Sequence, residues 1–251
     1  MFDAQKVTAE IIRWIQNYFN KNGKDCCAVI GISGGKDSTI TAALCAAALG
    51  ADRVCGVLLP QGIQDDIHVS ESIVDVLKIC HYKINIKDAV DSLFKSMGNS
   101  GLAPNRQAHL NTPARIRMTA LYAVAALVNG RVANTGNLSE DWIGYSTKFG
   151  DSAGDFSPLS RLTVTEIRAI GRTLNLPSEL IDKIPADGIS GLSDEENFGF
   201  SYDVLDKYIR TGLCEDSCVK EKIDALNRTN LHKLKPMPCF EYSGPESAGL
   251  P

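Results

Sequence analysis

The stretch GISGGKDST, residues 31–39, decides the fold of this chain. It follows an apolar run at residues 26–30, which predicts a buried strand. The Ala- and Leu-rich residues 40–49 predict a helix after it, with Gly50 as the C-cap. A glycine-rich turn therefore joins a strand to a helix N-terminus. Glycines let a ligand approach the backbone, and the first helical N–H groups are free, so this geometry favours phosphate binding.

The stretch differs from a Walker A phosphate loop. That motif needs glycine where this chain has Ile30, and Ser or Thr directly after the lysine. Here Asp37 follows Lys36. A carboxylate repels phosphate unless a cation lies between them, and Mg²⁺ prefers a carboxylate together with phosphate oxygens. The alternative is a turn in which Ser33 or Asp37 only caps a helix, but so many phosphate-competent groups favour a nucleotide site.

Length and composition indicate one α/β domain. The chain has 251 residues, of which 44% are hydrophobic and 22% charged, an ordinary globular composition. The net charge of −4 shows no basic excess, so we expect no nucleic-acid partner. The N-terminus lacks a signal pattern, and no apolar run reaches the ~18 residues of a membrane span. We therefore expect no membrane contact, a cytoplasmic location and a single domain over residues 1–251.

The eight cysteines are expected to be reduced. Six are scattered through apolar or helical stretches, and without a secretory signal they are predicted to be small buried hydrophobes. Cys214 and Cys218 are spaced as a metal pair on a helix would be. No second pair and no nearby histidine completes a site, so we expect none there.

Strand and helix patterns alternate along the chain. Strands are predicted at 26–30, 53–59, 82–86 and 131–133. Helices are predicted at 3–20, 40–49, 70–80, 87–97, 113–128, 165–174, 202–210 and 217–227, and polar loops at 98–108, 140–158 and 184–197.

This alternation predicts a doubly wound parallel sheet flanked by helices, a Rossmann-like α/β fold. Ligands bind at the carboxyl ends of such strands. The loops at 31–38, 58–66 and 134–140 are therefore expected to converge on one site. The pair Thr112-Pro113 predicts the start of the long fifth helix, because Pro is favoured at a first helical position.

Residues 33–38 resemble the Ser-Gly-Gly-x-Asp-Ser signature of the PP-loop ATP pyrophosphatases. These enzymes have an adenine nucleotide alpha hydrolase-like fold and split ATP between its α and β phosphates. The second half of the chain resembles the NAD synthetases within that superfamily. The matching runs are NTGNLSE at 134–140, GYSTKFGD at 144–151, DE at 194–195 and HK at 232–233. They follow one another in order and cover nearly the whole chain.

The resemblance implies a ligase that performs the last step of NAD biosynthesis. ATP, a co-substrate, would adenylate the nicotinate carboxylate of deamido-NAD, and ammonia would attack this acyl adenylate to give NAD. AMP and pyrophosphate would leave, with Mg²⁺ as the metal cofactor. Since the family is homodimeric, a homodimer is expected, with the apolar helix 113–128 at or near the interface.

The resemblance also assigns site residues. Those expected to bind ATP are Gly31, Ile32, Ser33, Gly34, Gly35, Lys36, Asp37, Ser38 and Thr135. Those expected to bind deamido-NAD are Arg115, Lys148, Asp155, His232 and Lys233. The expected magnesium ligands are Asp37 and Glu140, and the residues expected to act in catalysis are Ser33, Asp37 and Lys148.

Structural alternatives stay open for several of these residues. Glu140 would otherwise cap a helix. Lys148 with Asp151 would otherwise form a surface ion pair, which is worth little. Spacing alone leaves Arg115 evenly balanced between the site and the solvated face of the long helix. His232 by itself would be an ordinary surface histidine.

Two positions depart from the family pattern. Many members carry Lys at the position of Val164 and Thr at the position of Ala186, both assigned to ATP. Neither side chain here donates a hydrogen bond. The missing contact would have to come from a neighbour such as Arg161, Thr163 or Thr165.

Two other functions compete with this one. A different PP-loop enzyme, GMP synthetase-like or tRNA-modifying, needs a basic face or a catalytic cysteine pair, and a pI of about 5.6 with scattered cysteines argues against both. The second competing function is that of a non-catalytic nucleotide-binding relative. The pairing of Asp37 with Glu140 argues against it, because binding alone does not need that pair.

The expected nitrogen source is free ammonia. Glutamine-dependent relatives carry an amidase domain before the synthetase region, and a domain needs at least about 50 residues. The residues before the loop predict only one helix and one strand, so no glutaminase domain is expected unless a separate subunit supplies one. The polar loops at 98–108 and 184–197 are the expected lids over the reacting groups.

Overall fold

The computed structural model describes residues 2–182 and 193–240. Its strands are β1 (Cys27–Gly31), β2 (Val54–Leu58), β3 (Cys80–Lys83) and β4 (Gly130–Val132). The helices of the first half are α1 (Ala4–Asn22), α2 (Lys36–Leu49), α3 (Ile67–Leu77), α4 (Lys87–Asn99) and α5 (Arg106–Leu127). Those of the second half are α6 (Leu138–Ile143), α7 (Val164–Thr173), α8 (Ser178–Ile181), α9 (Asp194–Phe198), α10 (Tyr202–Thr211) and α11 (Ser217–Leu234).

The strands within the described residues form one parallel sheet in the order β3-β2-β1-β4. The chain moves outward from β1 to β3 and then crosses back to place β4 on the other side of β1. The strand order therefore reverses between β1 and β4, which opens a crevice at their carboxyl ends. The predicted doubly wound parallel sheet is confirmed.

Alternating residues of β1 supply two separate cores. Ala28 and Ile30 face the cluster that contains Phe19 of α1, whereas Val29 faces the cluster that contains Leu121 of α5. A third apolar cluster joins α6, α7, α9, α10 and α11, and its buried members are Ile143, Val164, Phe198, Phe200, Tyr202, Leu205 and Ile223. This third cluster is the apolar core of the helices that lie beside the sheet in the second half of the chain.

The start of α5 was predicted wrongly. The helix begins at Arg106, because the Asn105 side chain caps it by accepting a hydrogen bond from the Ala108 N–H at 2.9 Å. Pro113 lies buried inside the helix, where it lacks the N–H that a backbone bond needs. The loop predicted at 98–108 is therefore only the segment between α4 and α5, residues 100–105.

Several other boundaries also differ from the prediction. Cys80 begins β3 rather than ending a helix, because Lys78 takes a left-handed φ of 52° and terminates α3. The loop predicted at 140–158 contains the end of α6. The loop predicted at 184–197 ends in α9, and its residues 184–192 lie outside the described part of the chain. The last predicted helix, 217–227, extends to Leu234.

The cysteines are free, as expected, but their predicted burial is only partly right. Cys26, Cys45 and Cys55 are buried, whereas Cys80 and Cys239 are exposed. Cys80 is exposed because β3 is an edge strand whose four residues all contact solvent. Among the described residues, no helix is both long and apolar enough to cross a bilayer.

Candidate nucleotide site between strands β1 and β4

The loop after β1 presents an uncapped helix N-terminus. Gly34 has a left-handed φ of 83°, and Gly35 precedes α2 without a side-chain cap bond. The Ser33 and Ser38 Oγ atoms lie 3.1 Å apart, and the Gly35 N–H donates to Ser33 Oγ at 3.3 Å. The hydroxyls therefore brace the loop while the first N–H groups of α2 stay available to an anion.

Lys36 lies beneath the loop instead of extending into solvent. Its side chain is 1% exposed, and its Nζ lies 2.8 Å from Asp37 Oδ2 and 5.6 Å from the Tyr202 ring centroid. Desolvation opposes the charged form, but the carboxylates of Asp37 and Glu140 outweigh it and raise the pKa of Lys36. A buried ammonium therefore balances the acidic groups of the site.

Glu140 is held on the first turn of α6, across the crevice from the loop. The Asn137 side chain caps this helix and accepts a hydrogen bond from the Glu140 N–H at 2.9 Å. Burial, followed by the negative charge of Asp37, raises the pKa of Glu140 to about 8. The fold thus brings the two carboxylates from opposite sides of the crevice close enough for the charge of Asp37 to disfavour the ionised form of Glu140.

A divalent cation fits these two carboxylates. Asp37 Oδ1 is buried without a hydrogen-bond partner among the described residues, and Glu140 is a buried carboxylate whose pKa is raised by its burial and by the charge of Asp37. Mg²⁺ commonly uses one or two carboxylates together with substrate phosphates. Within residues 2–182 and 193–240, no three acidic, histidine or cysteine side chains form a fuller cage. The role of Asp37 and Glu140 as magnesium ligands stays a prediction.

Further buried polar atoms around the loop lack hydrogen-bond partners. Ser70 Oγ is one, and it lies 3.1 Å from the place that a Cβ on Gly34 would take. Asn137 Nδ2, beside Glu140, is another, and Arg168 Nε is a third. Native proteins pair almost all such groups, so several orphans at one place indicate a polar ligand.

Four of the five residues predicted to bind deamido-NAD meet at a second place. Arg115 Nε donates to the Lys148 carbonyl at 3.2 Å, and Lys148 Nζ donates to the His232 carbonyl at 3.0 Å. Lys233 Nζ donates to two carbonyls of the segment 144–146, at 2.7 and 3.0 Å. Three distant segments therefore come together here, and the ammonium of Lys148 is not used in an ion pair with Asp151.

Asp155, the fifth of these residues, is engaged by the fold. Its Oδ2 accepts the Val132 N–H at 2.7 Å, and its Oδ1 accepts the Tyr122 hydroxyl at 3.3 Å. These bonds continue the sheet beyond β4, where Ala133 also pairs with Phe156. Its predicted contact with substrate stays a prediction. Thr135 is half-buried just after this bridge, at the carboxyl end of β4.

Sequence reasoning gave no role to the buried network that fixes α6. Asp206 accepts hydrogen bonds from the Ser139 hydroxyl and, at 2.7 Å, from the Thr165 hydroxyl. Ser139 Oγ in turn accepts the Val164 N–H at 3.0 Å. The network ties the helix of Glu140 to α7 and α10. No local pattern links Asp206 to Ser139, because 67 positions separate them.

Comparison with known proteins decides the family. The family model described as NAD synthase matches residues 7–237, which include the loop and all the residues discussed above. The chain belongs to the NAD synthase family. The predicted family is therefore confirmed. The match includes both the loop after β1 and the place where Arg115, Lys148, His232 and Lys233 meet.

Individual relatives agree with the family match. The NH(3)-dependent NAD(+) synthetase of Methanocaldococcus jannaschii is 36% identical over 211 residues, which is 80% of each chain. Among solved structures, the NMN synthetase of Francisella tularensis is 28% identical with a TM-score of 0.88. The NH3-dependent NAD synthetase of Campylobacter jejuni is 29% identical with a TM-score of 0.78. Each of these two similarities covers 96% of this chain and 100% of the other.

Proposed function

We propose that this chain amidates deamido-NAD with ammonia and ATP to give NAD, AMP and pyrophosphate. The observation that carries the proposal is the NAD synthase match over residues 7–237. The matched residues form the crevice, in which the loop after β1 leads into a helix N-terminus that has no side-chain cap. The relative from Methanocaldococcus jannaschii, named an NH(3)-dependent NAD(+) synthetase, supports ammonia as the nitrogen donor.

ATP would bind with its phosphates at the N-terminus of α2. The N–H groups of that helix and the hydroxyls of Ser33 and Ser38 would contact the phosphates. The ammonium of Lys36, which is buried beneath the loop, would offset the negative charge of the acidic groups. Thr135, from the carboxyl end of β4, would donate a hydrogen bond to ATP across the crevice.

Asp37 and Glu140 would hold Mg²⁺, which when bound neutralises charge on the phosphates and on leaving pyrophosphate. Two sets of hydrogen bonds hold Glu140 in position for this role. Asn137 fixes the backbone of Glu140, and the Asp206 network fixes α6 against α7 and α10.

Deamido-NAD would bind where Arg115, Lys148, His232 and Lys233 meet. Its nicotinate carboxylate would attack the α-phosphate of ATP to form an acyl adenylate, and ammonia would then displace AMP. The ammonium of Lys148 would stabilise negative charge that develops on the acyl oxygen. Exclusion of water protects the acyl adenylate, and residues 100–105 between α4 and α5 would contribute to the cover.

A homodimer through α5 is also part of this proposal. The helix buries Met118, Leu121 and Val124 against the sheet, but leaves Tyr122 39% exposed and Leu127 86% exposed. A second copy would cover this outer face. Light scattering should then give twice the mass of one chain at micromolar concentration, and a monomer would contradict the dimer. The cytoplasmic location and the lack of a glutaminase domain stay predictions.

The test is NAD formation by the purified chain with ATP, Mg²⁺ and deamido-NAD. Ammonium should support turnover with one pyrophosphate released per NAD, and ammonia-free glutamine should not. Equal rates with glutamine would contradict ammonia as the direct donor. No NAD from either donor would contradict the proposed function.

A second candidate function is formation of the mononucleotide NMN by the same amidation. The specific observation is the TM-score of 0.88 with the Francisella tularensis NMN synthetase, against 0.78 with the Campylobacter jejuni NAD synthetase. A competition between deamido-NAD and deamido-NMN at equal concentration decides between them. We expect kcat/KM to favour deamido-NAD, and a ratio in favour of deamido-NMN would establish the second candidate.

A further inference from the structure

Position 164, where the resemblance implies an ATP-binding lysine, is closed in this chain. Val164 is fully buried in the third apolar cluster. The two neighbouring threonines are engaged elsewhere, because Thr163 caps α7 and the Thr165 hydroxyl donates to Asp206 at 2.7 Å. Neither threonine hydroxyl is therefore free to supply the missing contact, and Arg161, the third candidate, is exposed to solvent.

Arg168 lies one helical turn after Val164, on the same face of α7. This face approaches α2 closely, since a Cβ on Gly171 would lie 2.9 Å from Ile40 Cδ1. Ile40 is itself one turn after Lys36 on α2. Helix α7 therefore packs against α2, and the positive charge of Arg168 disfavours the protonated form of Lys36, which places the two cations near each other.

One nitrogen of the Arg168 guanidinium has no partner among the residues that the structure describes. Its Nε is buried and lacks a hydrogen-bond partner. The next arginine of α7 behaves differently, because Arg172 donates to Asp182 at 2.9 Å in an exposed ion pair. A buried guanidinium N–H without a partner, close to the Lys36 ammonium, is unfavourable unless an anion accepts a hydrogen bond from it. Phosphate is such an anion, because its oxygens match the donors of a guanidinium.

We propose that Arg168 binds a phosphate group of ATP at the N-terminus of α2. The inference rests on the proposed function, because it requires ATP to bind the loop. Arg168 and Lys36 then both stabilise the charge of the bound phosphates, Lys36 from beneath the loop and Arg168 from α7.

The test compares Arg168→Gln with the matched control Arg172→Gln. Both substitutions remove one guanidinium from the same helix, and only the first should weaken binding of ATP. Calorimetry with ATP and Mg²⁺ should show an affinity about tenfold lower for Arg168→Gln. The KM for deamido-NAD should change less than twofold, and Arg172→Gln should match the wild type in both measurements.

Two further measurements separate binding from a structural effect. Ethylguanidinium added to Arg168→Ala should restore part of the ATP affinity, which a merely structural arginine does not predict. Circular dichroism shows whether each variant is folded, and if Arg168→Gln is not, Arg168→Lys should fold and bind ATP with intermediate affinity.

Failure of the inference can be distinguished from failure of the proposed function. A wild-type chain that does not bind ATP would overturn the function itself. A wild-type chain that binds ATP, with unchanged affinity in folded Arg168→Gln or Arg168→Lys and no guanidinium effect in Arg168→Ala, would overturn only the role of Arg168. A loss of deamido-NAD binding with normal ATP binding would overturn it as well.

Discussion

The two halves of the crevice are built differently. The half proposed to bind ATP is almost contiguous, because the loop between β1 and α2 holds its serines, Lys36 and Asp37 within residues 33–38. The half proposed to bind deamido-NAD is assembled from distant parts, since the Arg115–Lys148 bond spans 33 positions and the Lys148–His232 bond spans 84. We infer that the loop of the first half tolerates changes elsewhere, whereas the second half depends on packing throughout the chain.

The largest expected effect is in the contiguous half. Asp37→Asn should lower pyrophosphate release by a factor of about 10² to 10³, because it removes the charge that would hold the metal. The fold should survive, since the change is isosteric and local. Activity is measured with ammonium, and the circular dichroism spectrum checks the fold. The exposed Asp91→Asn on α4 is the control, and full turnover by Asp37→Asn would remove this residue from the mechanism.

The next effect tests how strongly packing supports the site. Asp206→Ala should lower the free energy of unfolding by about 3 kcal/mol, because it leaves hydrogen-bond donors on α6 and α7 without their acceptor. Activity should also fall, since α6 carries Glu140. Urea unfolding measures the first change, with the exposed Asp203→Ala of the same helix as the control. A stable Asp206→Ala variant with wild-type activity would show that the network does not position Glu140.

A smaller effect is expected where α11 is tied to the segment 144–146. Lys233→Met removes two hydrogen bonds to carbonyls and should raise the KM for deamido-NAD about tenfold. The KM for ATP should stay within twofold, because the loop after β1 is separate. Lys235→Met, just beyond the helix, is the control. Equal changes in both KM values would contradict the division of the crevice into two halves.

The smallest expected effect is on the pH dependence of stability without metal. The pKa of Glu140 is raised to about 8, so between pH 4.5, its usual value, and pH 8 the native state binds more protons than the unfolded state. Stability from this group is therefore present at low pH and is lost as pH rises through 8. The melting temperature in EDTA should fall from pH 6 to pH 9, and less so in Glu140→Gln. Equal slopes in both proteins would contradict the shift.

Local patterns were sufficient for the fold and for one half of the crevice. The loop could be predicted because a phosphate site needs glycines and helix N–H groups that adjoin in sequence, as at Gly34 and Gly35. The parallel sheet could be predicted because strands and helices alternate. The start of α5 could not, since Asn105 and Thr112 are both competent caps and only the folded chain chooses between them.

The sequence by itself determined the ATP loop, the alternation of strands and helices, and the membership of the NAD synthase family. The tertiary structure alone decided the burial of the Lys36 side chain, the raised pKa of Glu140 and the buried Nε of Arg168, which has no partner among the described residues. The physical reason is that desolvation and charge coupling depend on which distant residues pack around a group. A motif specifies the identity of a side chain, whereas packing specifies the dielectric surroundings and partners that determine its chemistry.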